Sequence, residues 1–164
     1  MISFHQASEN DIETLRDLAE RSWQSAYAEI LSPQQIAYML ENMYSPSALL
    51  NDLQNTNYRY FLIKDHNSAL GFIGFEFHYE RVTTKLHRIY LLAQAKGKGI
   101  GKNALEFLKN QASDVNDRRI ILNVNKNNPA QHFYKAQGFS VYAEGIFDIG
   151  SGFVMDDYLM ELIL

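Results

Sequence analysis

The sequence predicts an α/β (α+β) fold: a mixed, mostly antiparallel sheet of six to seven strands covered by about four helices, in the order β-αα-βββ-α-β-α-ββ. Three observations predict it. Near the N-terminus, Ile12, Leu15, Ala19, Trp23 and Ala26 recur at helical spacing. From Tyr58 the pattern changes to aromatic and β-branched runs, "YRYFLIK", "ALGFIGFEFHY" and "KLHRIYLL". A glycine-rich stretch, "AQAKGKGIGKNAL" (93–105), then separates the last run from a second helical pattern.

Taken in order, "ISFHQAS" reads as a first strand, and Ser8 offers a helix cap before Ile12. Ser32–Pro33 starts a second helix through about Met43, and Ser45–Pro46 starts another, short one. A capping serine followed by proline at the first helical position suits both starts. Asp65–Asn67 supplies a hairpin turn between the first two aromatic strands. After the glycines, Ile100, Ala104, Leu108 and Ala112 share one helix face. "RRIILNVN" is a buried strand. Asn128 caps a helix that begins at Pro129 and ends before Gly138. "FSVYAEGIFDI" and "FVMDDYLMELIL" close the chain as two strands joined by Gly150–Ser151–Gly152. The strand–helix–strand unit from Leu86 to Val124 calls for a parallel, right-handed crossover.

The chain has 164 residues and no linker or repeat, so residues 1–164 are expected to form a single domain. With 46% apolar and 21% charged residues, the composition is that of an ordinary globular protein. No apolar run is long enough for a membrane span, and the first residues lack a signal-peptide pattern, so no membrane partner and a cytoplasmic address are expected. The absence of cysteine excludes disulfides, thiolate metal sites and a cysteine nucleophile. A net charge of −4 argues against a nucleic-acid partner.

The glycines Gly97, Gly99 and Gly101 admit three phosphate-binding readings. A P-loop fails, because Lys96 stands where its first glycine belongs and Asn103 where Ser or Thr would hold magnesium. A dinucleotide fingerprint fits Gly99 to Ala104, yet the following strand ends in Asn123 and Asn125 with no acid for a ribose.

The third reading comes from a resemblance. Lys96-Gly97-Lys98-Gly99-Ile100-Gly101 resembles the [QR]-x-x-G-x-[GA] segment of the GCN5-related N-acetyltransferases (GNAT), with Lys96 for Gln or Arg and Ala93 where a proline is common. "NKNNPAQHFYKAQGF" resembles that family's second signature through Asn127, Ala130, Phe133, Tyr134, Gly138 and Phe139. The two segments together carry the resemblance over residues 58–147. It implies the GNAT fold and an N-acetyltransferase that moves acetyl from acetyl-CoA to a primary amine by direct attack in a ternary complex.

The resemblance also implies a donor site. Glycines let a loop backbone approach the pyrophosphate at a helix start, with Lys96, Lys98, Ile100 and Lys102 beside it. Leu91, Leu92 and Ala93 would bind pantetheine like an added strand, and Leu91 N–H would stabilise the oxyanion. Asn127, Ala130 and Phe133 complete the cofactor contacts, and Tyr134 would protonate the departing thiolate.

Many family members carry a basic Glu where this chain has Lys85. His87 lies two residues on, at a spacing similar to that of the aralkylamine acetyltransferases, and is the first candidate base. Glu76 and His78 on the neighbouring strand are alternatives. A zinc site from His78 and His87 lacks a third ligand, so no metal is expected.

Trp23 and Tyr27 on the first helix, with Asp148, Asp156 and Asp157 in the closing hairpin, would suit a cationic small-molecule acceptor. Element order and the ending "DDYLMELIL" resemble PaiA-like spermidine/diamine acetyltransferases. Antibiotic, amino-acid and protein N-terminal amines stay open as acceptors. The rival readings are a non-catalytic acyl-CoA-binding sensor and a nicotinamide-dependent reductase. The chain is expected to be a monomer or a homodimer.

Overall fold

In the computed structural model, which describes residues 1–164, the elements run β1 (Ile2–Gln6), α1 (Ile12–Tyr27), α2 (Pro33–Tyr44), α3 (Pro46–Gln54), β2 (Tyr58–Asp65), β3 (Ser68–Glu80), β4 (Thr83–Leu91), α4 (Ile100–Asp114), β5 (Arg119–Asn125), α5 (Ala130–Ala136), β6 (Ser140–Gly150) and β7 (Phe153–Ile163). The strands form one seven-stranded sheet in the order β1-β2-β3-β4-β5-β7-β6. Every pairing is antiparallel except β4–β5, where α4 makes the crossover. The fold class is the one expected, and α3 is the short helix that starts at Ser45–Pro46.

Local chemistry sets the helix starts. Ser32 Oγ accepts from Gln35 N–H at 3.1 Å, and Ser45 Oγ accepts from Ala48 N–H at 3.2 Å. Such a cap contributes about 1 kcal/mol. Ser8 does not cap α1 directly: its N–H donates to Asp11 Oδ2 at 2.9 Å, closing a 3-10 turn over Glu9–Asp11 that leads into the helix.

Helices α1 to α3 cover one face of the sheet around Trp23, Leu49, Tyr60 and Phe72. Helices α4 and α5 cover the other around Ile73, Leu105, Leu108, Ile120 and Met160. These side chains are fully buried, so truncating one such as Leu108 to alanine costs roughly 2–5 kcal/mol. The helix α2 also holds the β6–β7 turn, because Tyr38 Oη donates to Ile149 O at 2.8 Å.

No helix is long and apolar enough to cross a membrane.

Candidate active site

The site begins where β4 and β5 part. Their parallel ladder runs only from Thr83↔Arg119 to Leu86↔Leu122, and beyond it the strands diverge. Leu92 N–H donates to Leu70 O at 2.8 Å, on the β3 side. Antiparallel ladders alternate, so the N–H groups of Leu91 and Ile89 face the opposite way, into the gap that β5 leaves. The gap opens into a cleft of about 1110 Å³. Its walls are the end of α1, the second half of β4, the glycine loop, the ends of β5 and the starts of α4 and α5.

The glycine loop is shaped for an anion. Gly97 and Gly99 have φ of +78° and +74°, in the left-handed region, and no atom lies within 4 Å of where a Cβ would sit. That open space is a cradle a side chain would fill. Gly99 caps α4 without a side chain. The first bond of that helix is from Asn103 N–H to Gly99 O, which leaves the N–H groups of Ile100, Gly101 and Lys102 without helical partners. Free N–H groups and the helix dipole both favour negative charge there. Gly101 serves a different purpose: a Cβ on it would meet the Phe133 ring at 3.1 Å, so its bareness lets α4 pack on α5.

Tyr134 projects from α5 into the cleft. Burial, with Tyr27 beside it, raises the Tyr134 pKa well above that of an ordinary tyrosine, so its hydroxyl keeps its proton. Tyr27 Oη lies 3.2 Å from Tyr90 Oη at the same wall.

Across the cleft, β4 is bulged. Gly74 pairs with Arg88 but Phe75 pairs with Leu86, which leaves His87 without a partner. The extra residue places His87 and Arg88 on the same face, where both meet Tyr58. His87 stacks on Tyr58 at 4.9 Å between ring centroids, and its Nε2 is 3.0 Å from Glu76 Oε1. Burial, then Lys85 and Arg88, push the imidazole down to about 3. It is therefore neutral near pH 7. Arg88 is buried over the Tyr44 ring, 3.8 Å from Asp52, which also accepts from Tyr60 Oη at 2.8 Å.

Comparison with known proteins turns on one match: residues 12–139 match the Acetyltransferase (GNAT) family. The chain belongs to the GNAT acetyltransferase family. As a GNAT protein it is an N-acetyltransferase, which favours the enzyme over the reductase and sensor readings. It is 28% identical over 163 residues to a spermidine N(1)-acetyltransferase of Thermoplasma acidophilum, covering 94% of this chain and 96% of that one. It also superimposes on the PaiA N-acetyltransferase of T. acidophilum, solved in complex with coenzyme A. The TM-score is 0.85 at 26% identity, over 100% of this chain and 99% of the other. A GCN5-related N-acetyltransferase from Rhodopseudomonas palustris matches with a TM-score of 0.83 at 13% identity, over 99% and 95% of the chains, and speaks for the fold alone.

Within this GNAT domain, Leu91, Lys96, Gly97, Gly99, Ile100, Gly101, Lys102, Asn127, Ala130, Phe133, Tyr134, His87 and Tyr27 all line the cleft. Other expected residues do not. Leu92 is buried with the α1 side of the core, and Ala93 and Lys98 lie outside the cleft wall. Glu76 lies outside the cleft wall, between His87 and Asn55. Trp23, 1% exposed, packs on Tyr27 at 4.5 Å and Tyr90 at 5.6 Å and is core. Asp148 Oδ1 accepts from Gly150 N–H at 2.8 Å, so it shapes the hairpin turn. His78 Nδ1 pairs with Asp117 Oδ1 at 2.8 Å, away from His87. Asn128 is not the cap of α5, which starts at Ala130 with Pro129 at the cap position; its Oδ1 accepts from Ala130 N–H at 2.9 Å and closes the turn that leads into the helix.

Sequence reasoning missed Arg88, Tyr90 and Asn123 as cleft residues. Their signal was present as polar and aromatic residues adjoining the two family segments. Their orientation depends on the bulge and on the parting of the strands.

Proposed function

We propose that the protein transfers acetyl from acetyl-CoA to the primary amine of a small acceptor, with polyamines and diamines as the preferred class, by direct attack in a ternary complex. The observation that carries this reading is the gap between β4 and β5, lined by unpaired N–H groups and leading to the glycine cradle at α4.

The donor's pyrophosphate fits the free N–H groups of Ile100, Gly101 and Lys102, with Lys96 and Lys102 adding positive charge at the rim. Pantetheine lies along the open edge of β4. There the Leu91 N–H faces the gap, so it donates to the thioester oxygen and steadies the charge that grows on attack. Tyr134, held protonated, gives its proton to the CoA sulfur as the C–S bond breaks. Asn127, Ala130 and Phe133 flank that end of the donor. His87, being neutral with Glu76 on Nε2, orients the acceptor by hydrogen bonding and does not store its proton.

The acceptor class rests on the similarity to the T. acidophilum spermidine N(1)-acetyltransferase over nearly the full length of both chains. The test is release of free CoA from acetyl-CoA in the presence of polyamines, arylalkylamines, aminoglycosides or peptides. Turnover is expected to be fastest with polyamines. Saturable acetyl-CoA binding with no turnover on any amine contradicts the proposal and favours a sensor.

A further inference from the structure

Asp157 is a carboxylate that the mechanism above leaves unused. It sits in the middle of β7, opposite Asn125 of β5 and Gly145 of β6. The residue is 6% exposed, and its Oδ1 is buried with no hydrogen-bond partner. A buried carboxylate oxygen without a donor is costly and calls for a reason. Its neighbour Asp156 is different, being exposed and paired with Lys126 Nζ at 3.0 Å.

Three elements bordering the gap converge on Asp157. The Asp157 charge raises the pKa of Tyr27 on α1, Lys85 of β4 draws the Asp157 carboxyl the other way, and Asn123 of β5 lies on the same sheet face, two residues from Asn125, the residue opposite Asp157. Asp156 adds repulsion from its own strand, and Gly145 on β6 contributes no side chain. Tyr27 and Asn123 are themselves cleft residues. We propose that Asp157 accepts, through a water in the cleft, the proton that the acceptor ammonium must lose before it attacks.

This inference rests on the proposed acetyl transfer. Of the two protons the ammonium gives up, the first passes to Asp157 and on to solvent. The nitrogen lone pair then forms the C–N bond as the C–S bond breaks and sulfur takes the Tyr134 proton. The second proton restores Tyr134. Burial, then Asp156, lift the Asp157 carboxyl to about 6, well matched to a base working near neutrality. His87, at about 3, is not.

The test is kcat/KM for the best acceptor between about pH 5 and 9, with acetyl-CoA saturating. The wild type should lose rate below an inflection near 6. Asp157→Asn should lower the rate about 100-fold and abolish that inflection, with acetyl-CoA affinity and melting temperature kept. Asp157→Glu should restore part of both. Asp156→Asn should move the inflection to lower pH, which keeps the idea testable even where Asp157→Asn fails to fold. An unmoved inflection in Asp156→Asn, or an Asp157→Asn rate within about threefold of wild type, overturns the assignment. A wild type silent with every amine overturns the proposed function and this inference with it.

Discussion

His87 Nε2 lies 3.0 Å from Glu76 Oε1, although the residue that strand register sets opposite Glu76 is Lys85. The bulge brings the pair together, and burial with two neighbouring cations keeps the imidazole neutral. A histidine that looks like a base in the sequence is, in the fold, a fixed hydrogen-bonding group.

That environment gives an acid-stability prediction. The imidazole titrates at about 3 when folded and at 6.5 ordinarily, so between these values the unfolded chain binds a proton that the folded chain does not. Its stabilisation is complete above about 6.5 and is lost as pH falls towards 3, by about 1.4 kcal/mol per pH unit. Asp157 acts in the opposite sense. Its carboxyl is raised from 3.8 to about 6, so its contribution grows as pH falls through that window. The two slopes offset in wild type. Urea unfolding at several pH values between about 4 and 6 should therefore show Asp157→Asn losing stability with acid more steeply than wild type. Equal slopes would contradict the pairing of these shifts.

Tyr134→Phe removes the hydroxyl and leaves the ring, which packs on Phe133 and Phe139 at 5.5 and 5.8 Å. Steady-state kinetics should show kcat reduced by about 100-fold, with the KM for acetyl-CoA and the melting temperature nearly unchanged. Retained kcat removes Tyr134 from the acid role.

The glycines should separate by function. Gly99→Ala forces a side chain into a left-handed backbone, at about 1–2 kcal/mol, and places a methyl in the cradle. Calorimetry should show CoA affinity lowered about tenfold or more, beyond the stability loss. Gly101→Ala instead presses on the Phe133 ring and should lower the melting temperature first. Equal CoA affinity in wild type and Gly99→Ala would contradict the cradle.

Trp23 tests the line between core and pocket. With its side chain enclosed by Tyr27, Tyr44 and Tyr90, Trp23→Ala should cost about 3–5 kcal/mol in denaturant unfolding. Trp23→Phe should leave the acceptor KM unchanged. A selective rise in that KM would return Trp23 to the acceptor site.

Much of this was legible in the sequence for physical reasons. The strand runs could be read because apolar side chains at period two must bury a face, and the donor loop because glycine adopts the positive φ values of Gly97 and Gly99 at least cost. The acceptor side was not legible. Trp23 and Tyr27 share a helix face, and packing alone decides that one is enclosed and the other opens to the cleft. His87 reads as an ordinary imidazole until the bulge places it between Lys85, Arg88 and Tyr58. Asp157 carried a weak signal, an acid between Met155 and Leu159 on one strand face, that gained meaning only when Asn123, Lys85 and Tyr27 converged on it.

The most direct test of direct acetyl transfer in the β4–β5 gap is an initial-rate study that varies acetyl-CoA and spermidine together. Free CoA should appear only when the amine is present, and the double-reciprocal lines should intersect, as for attack within a ternary complex. Parallel lines, or a burst of free CoA before amine is added, would mean an acetylated enzyme and would contradict the account.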